Sequence, residues 1–257
     1  MQMSRELDDL LCRRYPRLYA RRHGDPQSTA MGWGFEIGDG WFGIVDALSE
    51  VLSSRIEGNE SPDPEVQQVK QKFGSLRFHI DGHDGAGAIV DLAEQMSCRV
   101  CEISGRPGRL CLIGQRQIAT LAPGIELPST APRRGVTAID VGTDPVTGGV
   151  GIPPLGFSLD DMARWRGDVL AGPVEIPIGW HDLADTLLLL VQRRGRWPGQ
   201  QESRARVRRM WRDGTGLQLD WTDGDPVTQS LSAMAAALSR RIHPLSGAMV
   251  PVDATQE

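Results

Sequence analysis

Val69–Gly82 reads VKQKFGSLRFHIDG, and Val207–Gly224 reads VRRMWRDGTGLQLDWTDG. In the first stretch Leu76, Phe78 and Ile80 alternate with polar residues beyond Gly74-Ser75. A period of two on either side of a glycine predicts paired β-strands. In the second stretch Leu217, Leu219 and Trp221 alternate in the same way. Val69 and Phe73 match Val207 and Trp211 at an offset of 138, and Asp81-Gly82 matches Asp223-Gly224 at 142.

The correspondence extends outward. Gly40-Trp41, followed by Ile44, Asp46 and Leu48, matches Gly179-Trp180, followed by Leu183, Asp185 and Leu187, at 139. Ser97, Val100 and Ser104-Gly105 match Ser239, Ile242 and Ser246-Gly247 at 142. The offset drifts only in loops, where insertions are tolerated. The fold expected is therefore α+β, a tandem duplication of a helix–strand–strand–helix unit arranged as a pseudo-twofold pair. Residues 1–122 are read as the first unit with an added N-terminal helix. Residues 123–157, rich in Pro, Gly and Thr, are read as linker or long loop, and 158–257 as the second, diverged unit.

Helical spacing marks the remaining elements. Leu7, Leu10 and Leu11 share a face in Ser4–His23, which Pro16 should kink or end. Trp41, Ile44, Val45, Leu48, Val51 and Leu52 line one face of Trp41–Arg55, and Ile89, Leu92, Ala93 and Met96 one face of Ala88–Arg99. Ser158 is a good N-cap for a helix from Leu159 to Leu170. Trp41 and Trp180 are expected at equivalent buried positions. The glycines before Trp41 are expected to let it approach backbone closely.

Composition narrows the function. Of 257 residues, 40% are hydrophobic and 24% charged, so a sizeable core is expected. The leucine-rich run Leu187–Val191 is too short to span a bilayer, and the polar start of the chain does not read as a signal peptide. Four cysteines (Cys12, Cys98, Cys101, Cys111) make no disulfide framework, which fits a reducing, cytoplasmic setting. The net charge of −5 supplies no general attraction to nucleic acid or anionic lipid. All but Lys70 and Lys72 of the 28 basic residues are arginine, read here as coding bias.

At WGFEIGDGWFGIVDAL (Trp33–Leu48), VKQKFGSLRFHIDG and CEISGRPG (Cys101–Gly108), the chain resembles a mostly uncharacterised family of bacterial and phage proteins. That family carries GDGW, VKxKFGxLRF and CExCGxPG motifs. The resemblance covers about residues 7–123 and, through the repeat, a diverged copy at about 172–250. It brings no activity with it. The family's paired cysteines and a downstream cysteine look like a zinc knuckle. The corresponding positions here are Cys101, Ser104 and Ala122, so two thiolates are lost. Cys98 and Cys101 keep a C-x-x-C spacing, with Cys111 and His79 as conceivable further ligands. A structural zinc site needs four N or S ligands, and the expectation is a metal-free loop without cofactor.

No nucleophile elbow, phosphate loop, dinucleotide fingerprint or H-E-x-x-H occurs. His79, Asp81, His83 and Asp84 gather imidazoles and carboxylates, but the second copy lacks the histidines, and a solvated acidic turn is the better reading. Arg193–Arg212 holds eight arginines against Glu202 alone. A nucleic-acid patch through Arg204, Arg206, Arg208 and Arg209 is the alternative function. A solvated face is favoured over it, because Trp197 and Trp211 match core positions. The function expected is a non-catalytic protein-binding module, of the immunity type that neutralises a bacterial toxin. Asp81, Asp84, Asp223 and Asp225 would face a basic protein partner, with no membrane and no nucleic acid involved.

Overall fold

The computed structural model of the chain describes residues 1–57, 64–81, 85–127, 135–139, 143–144, 146–194 and 203–252. Six α-helices and nine strands in three small sheets are found among them, an α+β fold. None of the helices is long and apolar enough to cross a membrane.

Helix α1 (Arg5–Arg14) stops one residue short of the Tyr15-Pro16 pair, where a residue preceding proline is pushed out of helical conformation. Strand β1 (Phe35–Glu36) runs parallel to β2 (Glu65–Lys72), which turns into antiparallel β3 (Ser75–Asp81). The turn is Phe73-Gly74, both with positive φ (54° and 77°), as a tight two-residue hairpin requires. Helices α2 (Phe42–Glu57) and α3 (Gly87–Ser97) complete the first half. A hairpin of β4 (Arg109–Ile113) and β5 (Gln117–Leu121) follows, joined on its other edge by β6 (Val136–Ala138). Helix α4 (Leu159–Arg166) begins at Ser158, whose side chain and that of Asp161 cap each other's backbone N–H. In the second half β7 (Val174–Glu175) runs parallel to β8 (Arg206–Asp213), which pairs with antiparallel β9 (Gly216–Thr222). Helices α5 (His181–Arg193) and α6 (Pro226–Ser239) flank them.

Matched residues make matched contacts. The first hairpin has a register shift between Val66 and Gln68, the second between Val207 and Arg209. Trp41 is wholly buried and donates from Nε1 to the Val100 carbonyl at 2.7 Å. Trp180, 3% exposed, donates to the Ile242 carbonyl at 3.1 Å. Ser97 Oγ accepts the Leu76 N–H and Ser239 Oγ the Leu217 N–H, each at 2.8 Å. Each serine thus ties the end of a helix to the start of a strand.

The halves meet through helices. α2 packs on α6, α3 on α5, and α3 touches α6. Exchanging the halves leaves this pattern unchanged, and the same holds for the charges at the junction. Asp46 accepts Arg14 (2.9 Å) from α1 and Arg241 (2.6 Å) from the far half. Its counterpart Asp185 accepts Arg166 (2.8 Å) from α4 and Arg99 (2.8 Å) from the far half. The two sites differ in solvation. Asp185, Arg99 and Arg166 are all fully buried. At the other site Arg14 and Arg241 keep 23% and 17% of their side-chain surface exposed.

The stretch read as linker contributes to this buried site. Arg166 donates to the Val150 and Gly151 carbonyls (2.7 and 3.2 Å), and Arg99 to Gly151 (3.1 Å). Asp144 pairs with Arg193 at 2.6 Å. Part of 123–157 is therefore tied into the core. Hydrophobic periodicity misses this because the groups involved are backbone carbonyls and one carboxylate. The β4–β5 hairpin also lay outside the sequence reading.

Neutralising a buried carboxylate leaves its arginines without a counter-charge, at a cost of about 3–5 kcal/mol. Asp185→Asn should approach that loss in urea unfolding. Asp46→Asn should lose less than half as much, because its arginines reach water and Arg241 also pairs with Glu50. Equal losses would contradict this ranking.

Candidate binding surface

Of the acidic residues expected to face a partner, Asp225 is not a freely solvated turn residue. Asp81 ends β3 and is exposed, and Asp223 follows β9, exposed, with φ 53°. Asp84 lies outside the described residues. Asp225 is the N-cap of α6: its carboxylate accepts the Thr228 N–H at 2.8 Å and pairs with Arg194 at 2.7 Å. It is a structural carboxylate. Asp225-Pro226 carries a readable signal for that role, an N-cap residue before proline at the first helical position. The bond from Arg194 holds the Asp225 carboxyl down to about 2.

Two of the four arginines of the alternative patch have acidic partners. Arg208 pairs with Asp220 (2.6 Å) and Arg209 with Glu175 (2.7 Å). Arg206 donates to the Gly167 carbonyl at 3.0 Å. Arg209 lies 5.1 Å above Trp211. Arg204 is exposed just ahead of β8. The acids that pair with Arg208 and Arg209 come from β9 and β7, so a count along the sequence does not see them. Trp197 lies outside the described residues.

The cysteines serve packing. Cys101 and Cys111 belong to an apolar cluster with Ile113, Ala119, Leu121 and Ala122. The Cys98 Sγ donates to the Glu94 carbonyl, and burial pushes the Cys98 and Cys111 thiols up. His79 is exposed on β3, away from that cluster's interior. Among the described residues, no three His, Cys, Asp or Glu side chains form a group that could hold a metal ion.

The sequence reading missed a difference between the two halves at their closing loops. In the first half Gly40 N–H donates to the Glu102 carbonyl (3.0 Å), and Gly105 N–H to Cys101 (2.9 Å). In the second, Gly179 N–H donates to Pro244 (2.8 Å), and Gly247 N–H to His243 (2.9 Å). A Cβ on Gly40 would stand 2.2 Å from the Cys101 oxygen, and one on Gly179 2.4 Å from the His243 oxygen, so both positions require glycine. Ile103 in the first loop is packed against the β4–β5 cluster. Its counterpart Leu245 is 74% exposed, and Ile178, which precedes Gly179, is 61% exposed. At the position of Ile178 the first half has Asp39, whose carboxylate accepts the Ser4 N–H at the start of α1 (2.7 Å). Among the described residues, no hairpin follows the second loop as β4–β5 follows the first. No family model, curated protein or solved structure matches the chain.

Glu102, in the roofed loop, is 3% exposed and its Oε2 has no hydrogen-bond partner. Burial pushes its carboxyl up to about 7 from 4.5. A raised folded-state value favours folding below the unfolded value and costs stability as pH rises through the folded one. Wild-type stability should therefore fall between about pH 4.5 and 7. Glu102→Gln should flatten that fall and be the more stable protein at pH 8, by roughly 1–3 kcal/mol in urea unfolding. An unchanged pH profile would contradict the burial of a titrating Glu102.

Asp225 titrates with the opposite sign. Its contribution is present above the unfolded value near 3.8 and is lost as pH falls through about 2. Asp225→Ala should cost about 1 kcal/mol at pH 7 through the lost cap. Asp81→Asn and Asp223→Asn should stay within about 0.5 kcal/mol. Thermal unfolding of the three variants checks the order.

Proposed function

We propose that the chain is a non-catalytic protein-binding module derived from two copies of one α+β unit. The observation that carries this reading is the uncovered loop of the second half. There Ile178 and Leu245 stand exposed, while the equivalent loop of the first half is covered by its own hairpin. Exposed aliphatic side chains beside a rigid helix end mark a contact surface for another protein. The net charge of −5, with Asp81 and Asp223 open to solvent, favours a basic partner and speeds its encounter. An immunity-type protein that occludes a basic bacterial toxin fits these features. The four cysteines are all unpaired, which agrees with action in the cytoplasm. The arginine run supports a nucleic-acid role less well, because β9 and β7 supply counter-charges to Arg208 and Arg209.

A photo-reactive benzoylphenylalanine at Leu245 tests this in the native host. One discrete protein adduct is expected from that position, and none from the same group at Arg206. No adduct at Leu245, together with a nucleic-acid adduct at Arg206, would overturn the reading.

A further inference from the structure

A cavity of about 910 Å3 lies between the β4–β5–β6 sheet and the 150–155 segment. Cys111, Leu121, Ala138, Ile152 and Trp165 are among its lining residues, and the lining is mainly apolar. This volume falls within the range of sites that hold drug-sized molecules.

Among the described residues, the one charged residue in the lining is Arg109. A guanidinium has five N–H donors, and all five are spent within the protein. Nε donates to the Pro153 carbonyl (2.6 Å). Nη1 donates to the Gly108 carbonyl (2.7 Å) and to Asp182 (3.1 Å). Nη2 donates to the Pro154 carbonyl (3.2 Å) and to Asp182 (2.8 Å). Arg109 thus ties the hairpin to the 153–154 segment and to α5, and has no donor left for an anion. Pro123, Pro153 and Pro154 in the lining bring no backbone N–H. Arg109 therefore offers an entering carboxylate or phosphate no free donor, and the mainly apolar lining does little to replace its hydration.

We propose that this cavity binds a neutral, hydrocarbon-rich small molecule, such as a medium-chain alcohol or ester. The inference does not use the loop at Leu245, since neither Leu245 nor Ile178 is among the lining residues. The test titrates N-phenylnaphthylamine, an uncharged dye that fluoresces in apolar surroundings, into the full chain. Saturable, one-site binding is expected. Dodecanol should displace the dye, and dodecanoate at pH 8 should do so at least about tenfold less well, since each tenfold corresponds to only about 1.4 kcal/mol of lost solvation.

Ala138 lines the cavity on the exposed strand β6, and Ala138→Trp places an indole there. It should weaken dye binding by about tenfold or more. Leu155→Asp, at a residue 40% exposed on the cavity lining, gives the second variant should Ala138→Trp fail to fold. It should weaken binding in the same direction. Leu245→Glu should bind dye as the wild type does. Non-saturable binding, equal displacement by dodecanoate, or wild-type affinity in the folded cavity variants would overturn the proposal. So would a signal lost only in Leu245→Glu.

Discussion

Each half of this protein lends an arginine to a carboxylate of the other. Arg99 leaves the end of α3 to reach Asp185 on α5, and Arg241 leaves the end of α6 to reach Asp46 on α2. A second arginine from the helix ahead of each small sheet closes the same carboxylate from its own side. Around Asp185 all three side chains are fully buried, so the arginines draw on acceptors inside the protein. Thr186, Gln192 and the carbonyls of Val150 and Gly151 accept from the two arginines, while Arg99 Nε makes no hydrogen bond and has only the Asp182 charge at 3.9 Å. The chain between the halves is thereby drawn over the junction. Two guanidiniums on one buried carboxylate thus tie part of the connection to helices of both halves.

The elements were legible wherever side chains alternate or recur against a core. Leu76, Phe78 and Ile80 reported β3, and the same spacing reported β9. The Gly-Trp pairs reported two helix starts, because a wholly buried indole and a close backbone contact leave a recognisable dipeptide. The junction was not legible. Arg99 and Arg166 look like surface residues in a sequence, and the excess of arginine over lysine was put down to coding bias. Three of those arginines, Arg99, Arg109 and Arg166, use the planar fork on carboxylates and carbonyls at once, a geometry lysine does not provide.

The binding surface was less legible still. Acidic residues near turns were read as one set, yet Asp225 caps a helix while Asp81 and Asp223 remain in solvent. The exposed pair Ile178 and Leu245 carries no local signal, because an aliphatic residue beside a Gly-Trp or Ser-Gly motif reads as core. Its exposure follows from what is missing over it: the first half has a hairpin after its closing loop, and the second half has none among the described residues. Only comparison of the two halves in space brings that out.

If the reciprocal ion pairs hold the halves as one unit, the two buried indoles must open together. Hydrogen exchange at Trp41 Nε1 and Trp180 Nε1 reports each half separately, since each donates to a carbonyl of its own half. Arg166→Leu disturbs only a second-half arginine. It should lower the protection of both indoles by the same free energy, because exchange at either then requires the same global opening. Loss of protection at Trp180 with Trp41 unchanged would contradict the account.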